Sequence, residues 1–387
     1  MNKSGIEWTD YSWNPVTGCL HGCQYCYARK MTARFSGDIR RNKTKTDKYS
    51  FDGATGLYHL FEPFRSDTGG ILSYPFGFEP TFHEYRLNWP QEIKNGANIF
   101  VGAMADMFGS WVPDEVLNKV FNACVHAMQH NYLFLTKSPE RYNNFIDYYS
   151  GEDRGSQECY DFFDKMWFGT TITCNEDLNR LESLDDFDEG HRFLSIEPLL
   201  EDIDLKLKKT RCPKCNSVGI YETNPFTSGG RPPYECDCCG EWEGYQSELK
   251  PYIEWIIIGA ETGNRKNKVV PEWEWIKKIV LLADNEGIPV FMKDSLIPIV
   301  GEKNMRREFP KQLQQRTVSP KIEAKMNDIC GRCRKPAAKK DMVAILARSK
   351  RGEGAKHITY LCKECLKTQC EEWGTEVPEL EGLKGGN

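Results

Sequence analysis

Ile99-Phe-Val-Gly-Ala-Met104, then Pro113-Asp114-Glu115 with apolar residues at Val116, Leu117, Val120, Phe121, Cys124 and Ala127, then Tyr132-Leu-Phe-Leu-Thr136: this stretch decides the fold. The first run is uncharged and suits a strand buried on both faces. The second has apolar residues at helical spacing and acidic residues in its first turn, where the helix dipole favours them. The third is another buried strand. Together they make one strand–helix–strand unit.

The unit repeats outward in both directions. Ser138-Pro139-Glu140 starts the next helix, with Pro at its first position. Trp167-Phe-Gly-Thr-Thr-Ile172 is a strand, and Asn175 is placed to cap a helix carrying Leu178, Leu181 and Leu184. Arg192-Phe-Leu-Ser-Ile196, Glu254-Trp-Ile-Ile-Ile-Gly259 and Ile288-Pro-Val-Phe-Met292 are further strands. A helix from Pro271 to Gly287 separates the last two, and Trp13 to Val16 supplies one more strand. The expected class is α/β, a partial or complete parallel β/α barrel with two inserted or appended zinc-ribbon modules. A doubly wound sheet is the alternative that periodicity leaves open. The barrel is expected to occupy 1–205 and 253–310, with an irregular insertion of little helix at 36–96. Zinc ribbons are expected at 206–252 and 326–387, the second joined through a polar link at 311–325.

The 387-residue chain is 40% hydrophobic and 28% charged, which suits a globular protein. No apolar run approaches the ~18 residues of a membrane span, and the N-terminus has no signal-peptide core. The expected location is therefore the cytoplasm. Net charge is −5, which excludes a generic polyanion binder. The distribution is uneven, because 321–367 is basic and the chain turns acidic from Glu371. Of sixteen cysteines, thirteen fall in or directly beside three groups with metal-ligand spacing. Cys124 sits on an apolar helix face and reads as a buried hydrophobe.

The first group is Thr17-Gly18-Cys19-Leu20-His21-Gly22-Cys23-Gln24-Tyr25-Cys26-Tyr27, a C-x3-C-x2-C pattern. Three thiolates this close can face one point from a single loop, and Gly18 and Gly22 let the backbone wrap it. A [4Fe–4S] cube held by Cys19, Cys23 and Cys26 leaves one iron open. A zinc site completed by His21 or a distant residue is the alternative.

With Tyr25 as the aromatic residue before the third cysteine, this pattern resembles the signature of radical S-adenosylmethionine (SAM) enzymes. A closer resemblance runs from residue 6 to about 294. The segments IEWTDYSWNPVTGC, GFEPTFHEYRL, IFVGAMADMF, LFLTKSPER, RFLSIEPLL, EWIIIGAETG and PVFMKD are similar to the phage-associated three-Cys-motif family. That family is radical-SAM-like and has no established substrate. The resemblance implies that SAM chelates the fourth iron and that an electron donor reduces the cluster. Cleavage of SAM would then give methionine and a 5′-deoxyadenosyl radical. No Gly-Gly-Glu follows the second strand, where the SAM amino group usually binds. Met104-Ala-Asp106 stands there instead, which makes Asp106 the candidate substitute.

Sites in β/α barrels form at the C-terminal ends of the strands. Those ends carry Asp106, Thr136 with Lys137, Thr171 with Thr173, Glu197, Glu261 with Thr262, and Lys293. Buried Glu197 and Glu261 would need a cationic partner, for which Lys293 or Lys137 is available. His83 and Arg86 belong to a family-like segment but receive no role.

Cys212, Cys215, Cys236 and Cys239 form two C-x2-C knuckles, with Cys238 as a surplus thiol. Cys330, Cys333, Cys362 and Cys365 form a second such set. Each spacing suits a four-thiolate structural zinc site. Basic residues around Cys333 make nucleic acid a candidate partner. Two functions therefore compete: a radical-SAM-like enzyme acting on an unknown substrate, with nucleic acids and nucleotides as the candidate class, and a zinc-ribbon protein that binds nucleic acid or protein without turnover.

Overall fold

The structure is a computed structural model that describes residues 2–150, 157–185, 189–214, 220–222, 234–236, 239, 243–244, 250–314, 342–348 and 356–362. The chain divides into two units, Met1–Arg316 and Thr317–Asn387.

In the first unit seven parallel strands lie side by side in chain order: β1 (Tyr11–Trp13), β2 (Asn98–Val101), β3 (Asn131–Thr136), β4 (Met166–Thr171), β5 (His191–Ile196), β6 (Trp255–Ile258) and β7 (Val290–Met292). Helix α1 (Tyr27–Phe35) follows β1, and α2 (Asp114–Val125) joins β2 to β3. Helix α3 (Glu140–Ser150) precedes β4, α4 (Asn179–Asp185) precedes β5, and α5 (Trp273–Glu286) joins β6 to β7. A doubly wound sheet reverses its strand order at a switch point, and this sheet never does. The fold is a partial β/α barrel. Among the described residues no strand pair closes β7 onto β1. Glu7 spans that seam by accepting the Asp294 N–H at 2.9 Å.

Strand alternation divides the core. Ile99, Phe134, Phe168 and Ile256 point outward and pack with Leu117, Phe121 and Cys124 of α2 and Ile276 and Ile279 of α5. Burying a residue such as Phe121 contributes about 2–3 kcal/mol. The alternate residues face inward around Trp8, whose ring lies 4.8 Å from Phe100 and 6.0 Å from Trp255. Gly169 gives the Phe193 ring its room, since a Cβ there would sit 2.5 Å from it. Aromatic rings thus fill the lower barrel and leave the strand ends open above.

The 36–96 segment is more regular than expected. Ser50–Asp52, Leu57–Leu60 and Thr81–His83 join Val16–Thr17 in a four-stranded sheet, with a short helix at Ile39–Lys43. Strands of two to four residues are too short for alternation to register in sequence. His83 Nε2 meets Thr17 Oγ1 at 2.8 Å, and Arg86 donates to the Asn14 carbonyl at 3.0 Å. Both residues tie this sheet to the end of β1. Asn175 does not cap its helix: it occupies the first position of a 3₁₀ turn, and its side chain donates to Glu201 and the Asp202 carbonyl.

Between β5 and β6, where a helix would complete the repeat, Lys209–Arg211 pairs with Lys250–Pro251, and Ile220–Glu222, Tyr234–Cys236 and Glu243–Gly244 form a small antiparallel sheet. Arg211 anchors this excursion by pairing with Glu254 at 2.9 Å, and Glu254 also meets His191 at 3.0 Å. In the second unit, Met342–Arg348 and Lys356–Cys362 form an antiparallel hairpin with Met342 opposite Cys362.

Candidate metal centre and its cavity

The chain leaves β1 through Val16–Thr17 and Gly18, which bridges Ala105 in parallel while its N–H donates to the Met104 carbonyl at 2.9 Å. Gly18 has φ +87°, and a Cβ there would lie 2.3 Å from the Glu79 carbonyl oxygen. Only glycine can make this turn. It swings residues 19–26 across the strand ends, and α1 then starts with Cys26 as its N-cap, the sulfur accepting the Arg29 N–H at 3.5 Å.

Cys19, Cys23 and Cys26 are half-buried free thiols lining one cavity of about 480 Å³. Tyr25, Asp106, Thr136, Lys137, Thr171, Glu197, Glu261, Thr262 and Lys293 line the same cavity. Thr173 stands just behind this lining, with its hydroxyl donating to Asp177 at 2.7 Å and its side chain in hydrogen-bonding contact with Tyr25. The sheet therefore gathers nearly all the strand-end groups selected from sequence around the three cysteines.

The three thiols are placed where they could hold a metal centre. Among the described residues, the only trio of such ligand atoms lying within 4.8 Å of one another is Cys212, Cys236 and Cys239. Cys19, Cys23 and Cys26 form no such trio, and His21, the alternative fourth zinc ligand, meets Asp106 through Nε2 at 2.7 Å, which leaves its other ring nitrogen available. Burial, with Asp106 and the neighbouring thiols adding to it, pushes Cys19 up to about 12. A bound metal would favour its ionised form.

Asp106 is buried and fully bonded. One oxygen accepts the Phe108 N–H at 3.0 Å and the Thr136 hydroxyl at 2.6 Å, and the other meets His21 Nε2 and accepts the Lys137 N–H at 2.9 Å. Burial alone would raise its pKa, but His21 and the other donors outweigh it and hold Asp106 below the usual carboxylate value. Its geometry fastens the cysteine loop to the ends of β2 and β3. The His21 ring also packs edge-on against Trp111, with centroids 5.0 Å apart. Tyr25 accepts the Lys137 ammonium at 2.8 Å.

On the opposite wall, Lys293 donates to Glu197 at 2.5 Å and lies 3.9 Å from Glu7. Burial would lower the Lys293 pKa, but Glu197 and then Glu7 and Asp294 reverse the shift. Glu261 departs from expectation: Arg265 holds it at 2.6 and 2.7 Å, and Lys268, rather than Lys293 or Lys137, is the lysine whose charge acts on it. Arg265 lies one helical turn further along in sequence, but the polar loop gave no reason to invoke that spacing. Glu7 carried no local signal, because its role depends on the barrel seam.

At Cys212 the geometry is tighter. Its sulfur lies 3.9 Å from that of Cys239 and accepts the Lys214 N–H at 3.3 Å. Four thiolates bound at ~2.3 Å around zinc sit about 3.8 Å apart, so this trio fits a tetrahedral ion. The fourth expected ligand, Cys215, lies outside the described residues, as do Cys330, Cys333 and Cys365. Cys362 ends a hairpin strand.

None of the curated proteins matches the sequence significantly. Two solved structures are similar in shape. One is a spore photoproduct lyase mutant, with TM-score 0.30, 12% identity, and coverage of 51% of this chain and 48% of that one. The other is a double mutant of spore photoproduct lyase with bound AdoMet and dinucleoside spore photoproduct, with TM-score 0.31, 10% identity, and coverage of 94% and 72%. The chain thus spans about half of the first structure. Residues 3–315, which contain the whole seven-stranded sheet and the cysteine loop, match the family described as "Protein of unknown function (DUF5131)", and the chain belongs to that family.

Proposed function

We propose that the chain is a radical-SAM-like iron–sulfur enzyme, with Cys19, Cys23 and Cys26 holding three irons of a [4Fe–4S] cluster and SAM completing the fourth. The observation that carries this reading is the placement of three cysteines in the loop after β1, over a cavity walled by strand ends. The cluster, when bound and reduced by an electron donor, supplies the electron for SAM cleavage. The chain's own groups bind and orient. Asp106 and His21 fix the loop, and Lys137 steadies Tyr25 beside it. Because Asp106 has used its acceptors and Arg265 holds both oxygens of Glu261, Glu197 is the carboxylate proposed to face bound SAM or substrate, with Lys293 setting the charge of that wall. The seven quoted segments carry the proposed kinship with the phage-associated three-Cys-motif family. The substrate class proposed is nucleic acid or nucleotide.

Anaerobic purification followed by iron, sulfide and SAM analysis tests the proposal. About four irons and four sulfides per chain are expected, with 5′-deoxyadenosine formed on reduction. A colourless protein containing zinc alone would favour the binding protein without turnover. That second reading rests on the Cys212, Cys236 and Cys239 trio, which we propose to be a structural zinc site completed by Cys215.

A further inference from the structure

Helix α1 breaks two local rules. Its first turn holds no acidic residue, although the helix dipole favours acid there, and Arg29 and Lys30 stand in that turn instead. It also exposes large side chains at i, i+4 and i+8: Tyr27 is 48% exposed, Met31 41% and Phe35 58%. At 100° per residue, Lys30 and Arg34 fall on the same outward side, while Ala28 and Thr32 are the buried contacts. Among the described residues, neither Lys30 nor Arg34 forms an ion pair.

This face continues into the cavity. The Tyr27 ring lines it, with its hydroxyl donating to the Ala103 carbonyl at 2.7 Å. Leu20, inside the cysteine loop, is 56% exposed. Across the mouth, Gly263 approaches the Lys30 ammonium, which would lie 3.9 Å from a Cβ there. The same loop carries exposed Lys266 and Lys268. Two adjoining elements beside the cavity therefore carry exposed cations, and α1 adds exposed apolar rings, on a chain whose net charge is −5.

We propose that this rim binds a single-stranded nucleic acid. Lys30, Arg34, Lys266 and Lys268 would contact the phosphates, while Phe35 and Tyr27 offer stacking surfaces leading to the cavity. Charge complementarity selects the partner: a purely apolar partner would leave four cations without counter-charge, and a duplex has no unstacked bases to offer the rings. Delivery of a nucleotide to the cavity rests on the enzyme reading above, but binding at the rim does not.

The test is fluorescence anisotropy on the full chain with its metals, using a labelled mixed-sequence strand of about twelve nucleotides at about 50 and 200 mM salt. Binding that weakens at higher salt is expected. Lys30→Glu with Arg34→Glu should weaken it about tenfold or more, and Phe35→Ala about fivefold or more. A control of equal charge change, Lys277→Glu with Lys303→Glu, should leave affinity within about twofold. Circular dichroism and iron content confirm that each variant is folded and loaded. Absent binding, an equal loss in the control, or a duplex that binds as well as the strand overturns the proposal. So does a change in sedimentation of the Phe35→Ala chain without a change in strand affinity, which would assign the face to a second copy. Strand binding without SAM cleavage would sink the enzyme reading and keep this one.

Discussion

The two cysteine trios of the first unit use the same side chain for different geometries. Cys212, Cys236 and Cys239 bring their sulfurs within 4.8 Å of one another, the spacing of ligands on one tetrahedral ion. Cys19, Cys23 and Cys26 form no such trio and line an open cavity. The first trio belongs to a small excursion with little core, where a bound metal would replace missing hydrophobic burial. The second rests on a sheet already stable from aromatic packing, so its residues are free to hold something reactive. Spacing and support, rather than cysteine content, separate a structural site from a candidate catalytic one.

The sharpest way to break this contrast is Cys23→Ala. Iron and SAM cleavage should fall to background while zinc and the melting temperature stay close to wild type, as metal analysis and calorimetry would show. Loss of zinc along with the iron would mean that the two trios are not independent.

Cys212→Ser should do the reverse. About one zinc should be lost and the melting temperature should fall by about 5–10 °C, with iron retained. The damage should spread to the lower barrel, because the neighbouring Arg211 is paired with buried Glu254.

Asp106→Asn should be milder. It keeps the shape but lowers the charge that holds His21, and losses of this kind cost about 10–100-fold in metal affinity or activity. The check is iron occupancy together with the electron paramagnetic resonance spectrum of the reduced cluster, which a merely structural role would leave unchanged.

The smallest effect concerns pH. Burial would lower the His191 pKa, but Asp164 and Glu254 outweigh it and raise it above 6.5. The imidazolium's contribution to stability is complete below that ordinary value and disappears as pH rises through the raised one. The melting difference between wild type and His191→Gln should therefore shrink as pH rises above 6.5, and a difference independent of pH would remove His191 from the ion-pair network.

Much of the fold was legible because most barrel strands are short apolar runs, and several are followed by a helix with acid or proline at its start. Asn98–Val101 and α2 show this clearly. The sheet at 36–96 was not legible, since its strands are too brief to show a period. The site was legible residue by residue at the strand ends, yet its pairings were not. Lys293 with Glu197 was among the possibilities, whereas Glu261 with Arg265 and Asp106 with His21 were not anticipated.

The sequence by itself determined the three-cysteine loop and the βα repeat, because each depends on spacing within a few turns of chain. Only the tertiary structure decided that the sheet runs in chain order as a partial barrel, that Asp106 is saturated, and that α1 and the 262–268 loop share one rim. Those facts depend on which distant segments the core brings together. Burial and pairing across dozens of residues leave no local period to read.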